Sequence, residues 1–121
     1  MAKKSFERVE SLGLGFFDSE VKKISPSTIE IKIPHMGWNN IRLIDDRYKK
    51  SFSSLVEGDY YFVHSYEMVC NKSSDIVATV KYGKEIVATV GKENILGVQF
   101  HPEKSQKNGQ NFINDFFRWT P

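Results

Sequence analysis

The chain has 121 residues, of which 40% are hydrophobic, 26% charged and 13% aromatic. That is one domain or part of one, and it excludes a disordered tail, a collagen-like repeat and a disulfide-stapled miniprotein. Lys and Arg number 17 against 15 Asp and Glu, and they are scattered along the chain, so binding to nucleic acid through a basic stripe is set aside. The single cysteine, Cys70, permits no intrachain disulfide and suits a reduced, cytoplasmic setting. No apolar run has the length of a membrane helix, and the opening residues lack the apolar centre of a signal peptide.

In chain order, residues 1–10 read as a helix, with Phe6, Val9 and Ala2 on one face among Lys3, Lys4, Glu7 and Arg8. Gly13 and Gly15 break it, and residues 16–24 form a short strand before the Pro26 loop. Residues 28–33 alternate strictly between polar and apolar, the pattern of a half-buried strand that Pro34 ends. A turn at Gly37-Trp38-Asn39 precedes a short strand over 41–44, and residues 45–54 read as a loop with a helical turn. The run Tyr60-Tyr61-Phe62-Val63-His64 suits a strand buried on both faces.

Ile76-Val77-Ala78-Thr79-Val80 recurs as Ile86-Val87-Ala88-Thr89-Val90, with Tyr82-Gly83-Lys84 between them. Two such runs around a glycine turn predict a β-hairpin whose second arm Gly91 ends. Residues 94–100 form another buried strand. A C-terminal helix follows, with Ser105 as its N-cap and Phe112, Ile113, Phe116 and Phe117 as its core stripe. The fold class is therefore α/β, a mixed sheet with a hairpin and flanking helices at both ends. Few helices are present to cover the apolar strands, which leaves the domain short of cover.

The strongest local chemistry lies in Gly97-Val98-Gln99-Phe100-His101-Pro102-Glu103. A His with a carboxylate two positions later, stiffened by a proline, fits a general base held in one tautomer by its partner. A strand-end His bonded only to backbone fits the same pattern. Cys70 lacks a Gly-x-Cys-x-Gly elbow and reads as a small buried hydrophobe. His35, His64 and His101 are too dispersed for a zinc pattern, and Leu12-Gly13-Leu14-Gly15 is too short for a dinucleotide loop. Pro34-His35-Met36-Gly37-Trp38-Asn39 suits either a packed loop or a contact surface.

Four segments, in order along almost the whole chain, resemble class I (triad) glutamine amidotransferases. They are Gly13-Leu14-Gly15, Pro34-His35-Met36-Gly37-Trp38-Asn39, Tyr61-Phe62-Val63-His64-Ser65-Tyr66 and Gly97 to Ser105. The second and third narrow the resemblance to glutaminase subunits of the imidazole glycerol phosphate synthase type. The resemblance implies that His101 is the triad base and Glu103 its orienter, and that His64, Ser65 and Tyr66 lie beside bound L-glutamine. It also implies that Trp38, Asn39, Tyr61 and Lys104 face a (β/α)8-barrel synthase that consumes the ammonia, and that no cofactor or metal is needed.

The family's nucleophilic cysteine elbow and the strands before it have no counterpart here. Residues 1–121 are thus expected to be a C-terminal portion of the domain, inactive alone. An amidotransferase for surface-sugar (lipopolysaccharide-type) biosynthesis and a non-catalytic half that docks on a synthase stand beside the histidine-pathway reading. The uncovered sheet predicts self-association.

Overall fold

The computed structural model describes residues 1–25 and 31–121. Its strands are β1 (Ala2–Ser5), β2 (Ser11–Leu12), β3 (Phe17–Lys23), β4 (His35–Leu43), β5 (Asp59–His64), β6 (Tyr66–Cys70), β7 (Ile76–Tyr82), β8 (Lys84–Lys92) and β9 (Ile95–Val98). They form a four-stranded sheet in the order β2-β1-β3-β6 and a five-stranded sheet in the order β5-β4-β7-β8-β9. One helix, α1 (Gln106–Arg118), closes the described chain. The architecture is mixed α/β.

The β7–β8 hairpin forms as its repeated runs require, with Val80 opposite Ile86 and Tyr82 opposite Lys84. Gly83 makes the turn at φ 75°, a left-handed conformation that glycine adopts without a Cβ penalty. The second arm runs past Gly91 to Lys92, because Gly91 and Lys92 still pair with Leu96 and Ile95 of β9. That last strand is shorter than the predicted run and stops at Val98.

The interior face of the larger sheet carries Ile41, Tyr60, Phe62, Val80, Ile86 and Ala88. Tyr48 and Leu55, from two short 3-10 turns in and just beyond the predicted 45–54 loop, and Phe52, which precedes the second turn, pack against it with Phe100 and Phe112. Burying such a set is the main stabilising contribution to this half of the fold.

Several expectations are corrected. Residues 1–10 are not a helix: residues 2–5 are a strand running parallel to β3, with Ala2 opposite Phe17 and buried. A ten-residue helix is marginal by itself, whereas the sheet uses the main chain fully: Gly13 and Gly15 donate to the Lys3 and Ala2 carbonyls. Helices therefore do not flank both ends of the described chain. The Gly37-Trp38-Asn39 segment is not a turn but the middle of the nine-residue β4, with Gly37 paired to Phe62.

The apolar run at 60–64 alternates instead of being buried throughout. Tyr60, Phe62 and His64 point inward, while Tyr61 and Val63 are only half-buried, since β5 is an edge strand. In α1 only Phe112 of the predicted stripe is fully buried, and Phe117 is 81% exposed. Half of the predicted strand at 28–33 falls on residues outside those described, and Ile31, Lys32 and Ile33 belong to no strand.

Candidate active site

Phe100 anchors the end of the last strand's extension in the core, 4.2 Å from the Tyr60 ring and edge-on to Phe112. Immediately beyond it, the His101 N–H donates to the Tyr61 carbonyl at 2.9 Å. Pro102–Lys104 then form a 3-10 turn, for which a proline at the first position is preorganised. Ser105 locks this turn in place. Its hydroxyl donates to the His101 carbonyl at 2.6 Å and accepts the Tyr61 N–H at 3.0 Å. Ser105 stands at the predicted N-cap position of α1, but its side chain makes no capping bond and instead clamps β5 to the His-Pro-Glu turn.

The His101 Nδ1 lies 2.7 Å from Glu103 Oε1. The imidazole hydrogen bond is the main cause that holds the Glu103 carboxyl below its ordinary range. A carboxylate only accepts, so the hydrogen-bond network assigns the proton to Nδ1 and leaves the Nε2 lone pair free. This is the geometry of a general base with an orienting carboxylate. The alternative of a strand-end His bonded only to backbone does not describe this ring.

His64, Ser65 and Tyr66 form the corner between β5 and β6. The Ser65 carbonyl accepts from the Ile24 N–H at 2.9 Å. His64 Nδ1 sits 2.8 Å from the Tyr66 carbonyl, and His64 Nε2 sits 2.8 Å from His35 Nδ1. The corner lines an open cleft of about 500 Å³ together with Val21, Pro34 and Gln99. Burial is the first cause that pushes the His64 imidazole below its ordinary value. The nearby His101 adds to that lowering, so the corner and the His101–Glu103 pair feel each other's charge.

The four residues expected at a synthase interface divide between two faces. Trp38 pairs with Tyr61 across the strands with ring centroids 5.9 Å apart, and the Lys104 ammonium lies 5.9 Å from the Tyr61 ring. These three share the outer face, with Met36 exposed beside them. Asn39 points to the other face and donates to the Lys81 carbonyl at 2.9 Å. A strand's period of two makes this division unavoidable once residues 35–43 are extended.

Cys70 lies opposite Ser19 on β6, and burial pushes its thiol up to about 11. A protonated thiol is a poor nucleophile. Among the described residues no cluster of three or more His, Cys, Asp or Glu could hold a metal ion. Sequence reasoning missed the parts played by Ser105 and His35. A serine just before a helix signals only a cap, and nothing in the local sequence links His35 to His64.

The family model of class-I glutamine amidotransferases matches residues 9–119. The chain is 39% identical over 109 residues to imidazole glycerol phosphate synthase subunit HisH 2 of Nitrobacter winogradskyi, covering 90% of this chain and 51% of that protein. It is 44% identical over 109 residues to subunit HisH of Zymomonas mobilis, covering 90% of this chain and 49% of that protein. The match to subunit HisH of Brucella melitensis is 38% over 125 residues, covering 100% of this chain and 57% of that protein. The chain spans about half the length of these curated relatives.

Proposed function

This chain belongs to the class-I glutamine amidotransferase family, and from that membership we propose that it is the base-bearing part of an ammonia-supplying glutaminase subunit of imidazole glycerol phosphate synthase. The observation that carries the reading is the His101–Glu103 pair at 2.7 Å. The names of the matched relatives favour the histidine-pathway partner over a surface-sugar amidotransferase.

The proposed chemistry is nucleophilic. A cysteine outside residues 1–121, made a thiolate by proton transfer to His101 Nε2, attacks the side-chain amide carbon of L-glutamine. The carbon–sulfur bond forms, the carbon–nitrogen bond breaks, and the nitrogen leaves as ammonia with the proton His101 returns. His101 then takes a proton from water as its oxygen attacks the thioester. Glutamate leaves, and the thiol recovers its proton. Glu103 keeps Nδ1 protonated throughout and stabilises the charged ring.

Residues 1–121 form part of the amidotransferase domain in this reading, and the elbow that bears the nucleophile belongs to a different segment. The high pKa of Cys70 supports that division. The His64–Ser65–Tyr66 corner lies on the glutamine side, and Trp38, Tyr61 and Lys104 face the (β/α)8-barrel synthase. Asn39 contributes from the opposite face of the same strand. No helix among the described residues is long and apolar enough to cross a membrane, and the proposed setting is cytoplasmic.

The test is reconstitution. The purified chain should release no ammonia from glutamine alone. Mixing it with a chain that carries the elbow cysteine and the barrel synthase should restore release, and His101→Ala should remove most of it, since triad members act as a unit. Glutamine turnover by the chain alone that survives both Cys70→Ala and His101→Ala would overturn the reading. So would a reconstituted complex that loses nothing on His101→Ala.

A further inference from the structure

Two buried histidines from different strands meet behind the Ser65–Tyr66 corner. His35 on β4 pairs with His64 on β5, and both rings are almost wholly removed from solvent. His35 is stacked between Phe62, with centroids 4.8 Å apart, and Tyr82, at 4.0 Å. Its Nδ1 is 2.8 Å from His64 Nε2, and His64 Nδ1 is 2.8 Å from the Tyr66 carbonyl. At the other end, Asn39 Nδ2 lies 3.4 Å from His35 Nε2 and 2.9 Å from the Lys81 carbonyl.

The direction of every bond in this chain follows from its two ends. The Tyr66 carbonyl only accepts, so His64 carries its proton on Nδ1 and presents a lone pair at Nε2. His35 must then donate through Nδ1, which leaves its own Nε2 as an acceptor. Asn39 supplies that hydrogen, and its orientation is set independently: the Asn40 N–H donates to Asn39 Oδ1 at 2.9 Å. The second N–H of the Asn39 amide serves the Lys81 carbonyl. All four ring nitrogens are satisfied with both imidazoles neutral. A second proton on either ring would set two donors against each other.

We propose that His35 and His64 are positioning residues: their fixed-tautomer chain, anchored at Lys81 and Asn39, holds the Tyr66 carbonyl and so sets the backbone of the Ser65–Tyr66 corner. The same β4 strand carries Trp38 on its other face. The relay therefore ties the corner to the strand whose outer face presents Trp38. That a glutamine uses this corner rests on the reading under Proposed function, but the relay itself does not.

Burial, against the opposing pull of the Glu67 carboxylate on His64, favours a neutral pair. His35 faces Tyr82 of β7, Asn39 of its own strand and His64. His64 faces Glu67 of β6 and His101 beyond β9. Glu67 is engaged by the Lys84 ammonium of β8. Burial lowers both histidines, His35 to about 4.

The experiment is long-range proton–nitrogen NMR of the imidazoles in the 121-residue chain. Near neutral pH, both His35 and His64 should show the proton on Nδ1. His35→Phe keeps the stack but removes the donor, and backbone amides at 65–67 should exchange roughly tenfold faster. His35→Asn, whose amide N–H replaces Nδ1–H, should restore both the exchange rates and the His64 tautomer.

Wild-type titration keeps the test open if His35→Phe does not fold: the corner amides should show a step that coincides with titration of the His35 and His64 rings. A His64 proton on Nε2, identical behaviour of His35→Phe and His35→Asn, or corner shifts that follow His101 alone would each overturn the relay. The expected tautomers with no response of Ser65 or Tyr66 amides to added glutamine, in a complex that carries the elbow cysteine, would support the relay and overturn the corner's assignment to glutamine.

Discussion

Gly109 stands within α1, where helix propensity alone says that Gly109→Ala should stabilise the protein by about 1 kcal/mol. The tertiary structure reverses the sign. A Cβ at Gly109 would meet the Pro102 carbonyl oxygen at 1.8 Å, its carbon at 2.7 Å and Ser105 Cβ at 2.9 Å. Two of these three atoms are backbone, so no side chain can rotate away, and the helix and the His-Pro-Glu turn must separate by more than about 1 Å. Overpacking of this kind costs up to about 3 kcal/mol, so the net expectation is a loss of roughly 1–2 kcal/mol.

The strain falls on a turn that matters. The Pro102 carbonyl accepts the Ser105 N–H, and Ser105 clamps His101. Urea unfolding of wild type and Gly109→Ala, read at constant slope, gives the stability change. The His101 and Glu103 amide resonances report the displacement of the turn. A variant as stable as wild type, or more so, with those resonances unmoved, would refute the close approach of α1 to the turn.

Ser105→Ala removes both hydrogen bonds of the clamp and leaves the His101 carbonyl and Tyr61 N–H each short of one; unfolding should show a loss of about 1–3 kcal/mol. His35 falls from an ordinary 6.5 to about 4 on folding. The folded state then binds fewer protons, so stability is complete above the ordinary value and declines as pH falls from 6.5 towards 4, with His64 acting in the same direction. The His35 share is roughly 1–3 kcal/mol, and denaturation curves that grow more stable from neutral pH towards pH 5 would contradict it. Cys70, pushed up to about 11 from an ordinary 9.0, should alkylate about a hundredfold more slowly than a free thiol near neutral pH, as followed by mass spectrometry. Val9, Leu12 and Leu14 are 70%, 84% and 75% exposed around the β1–β2 edge, so light scattering of the isolated chain should show association, and a monomer over a wide concentration range would count against it.

What was legible in the sequence was local. The repeated Ile-Val-Ala-Thr-Val runs with Gly83 between them specify a hairpin at short range, and the His101–Glu103 contact spans two residues with a proline to stiffen it. Residues 1–10 carry no decisive local signal, because ten residues fit more than one period and the partner that fixes them, Phe17, lies across a sheet. Gly37 suggests a turn, but pairing with Phe62 holds it within β4, at a φ of 129° that glycine tolerates.

Composition and short-range pattern thus determined the mixed α/β class, the hairpin and the closeness of His101 to Glu103, because each depends on neighbours a few residues apart. The tertiary structure decided which face each residue of β4 takes, and with it the separation of Trp38 from Asn39. It also joined His35 to His64 across 29 positions and Ser105 to Tyr61 across 44. Those contacts carry no local signal, since side-chain direction in a strand is set only when register with its neighbours is complete.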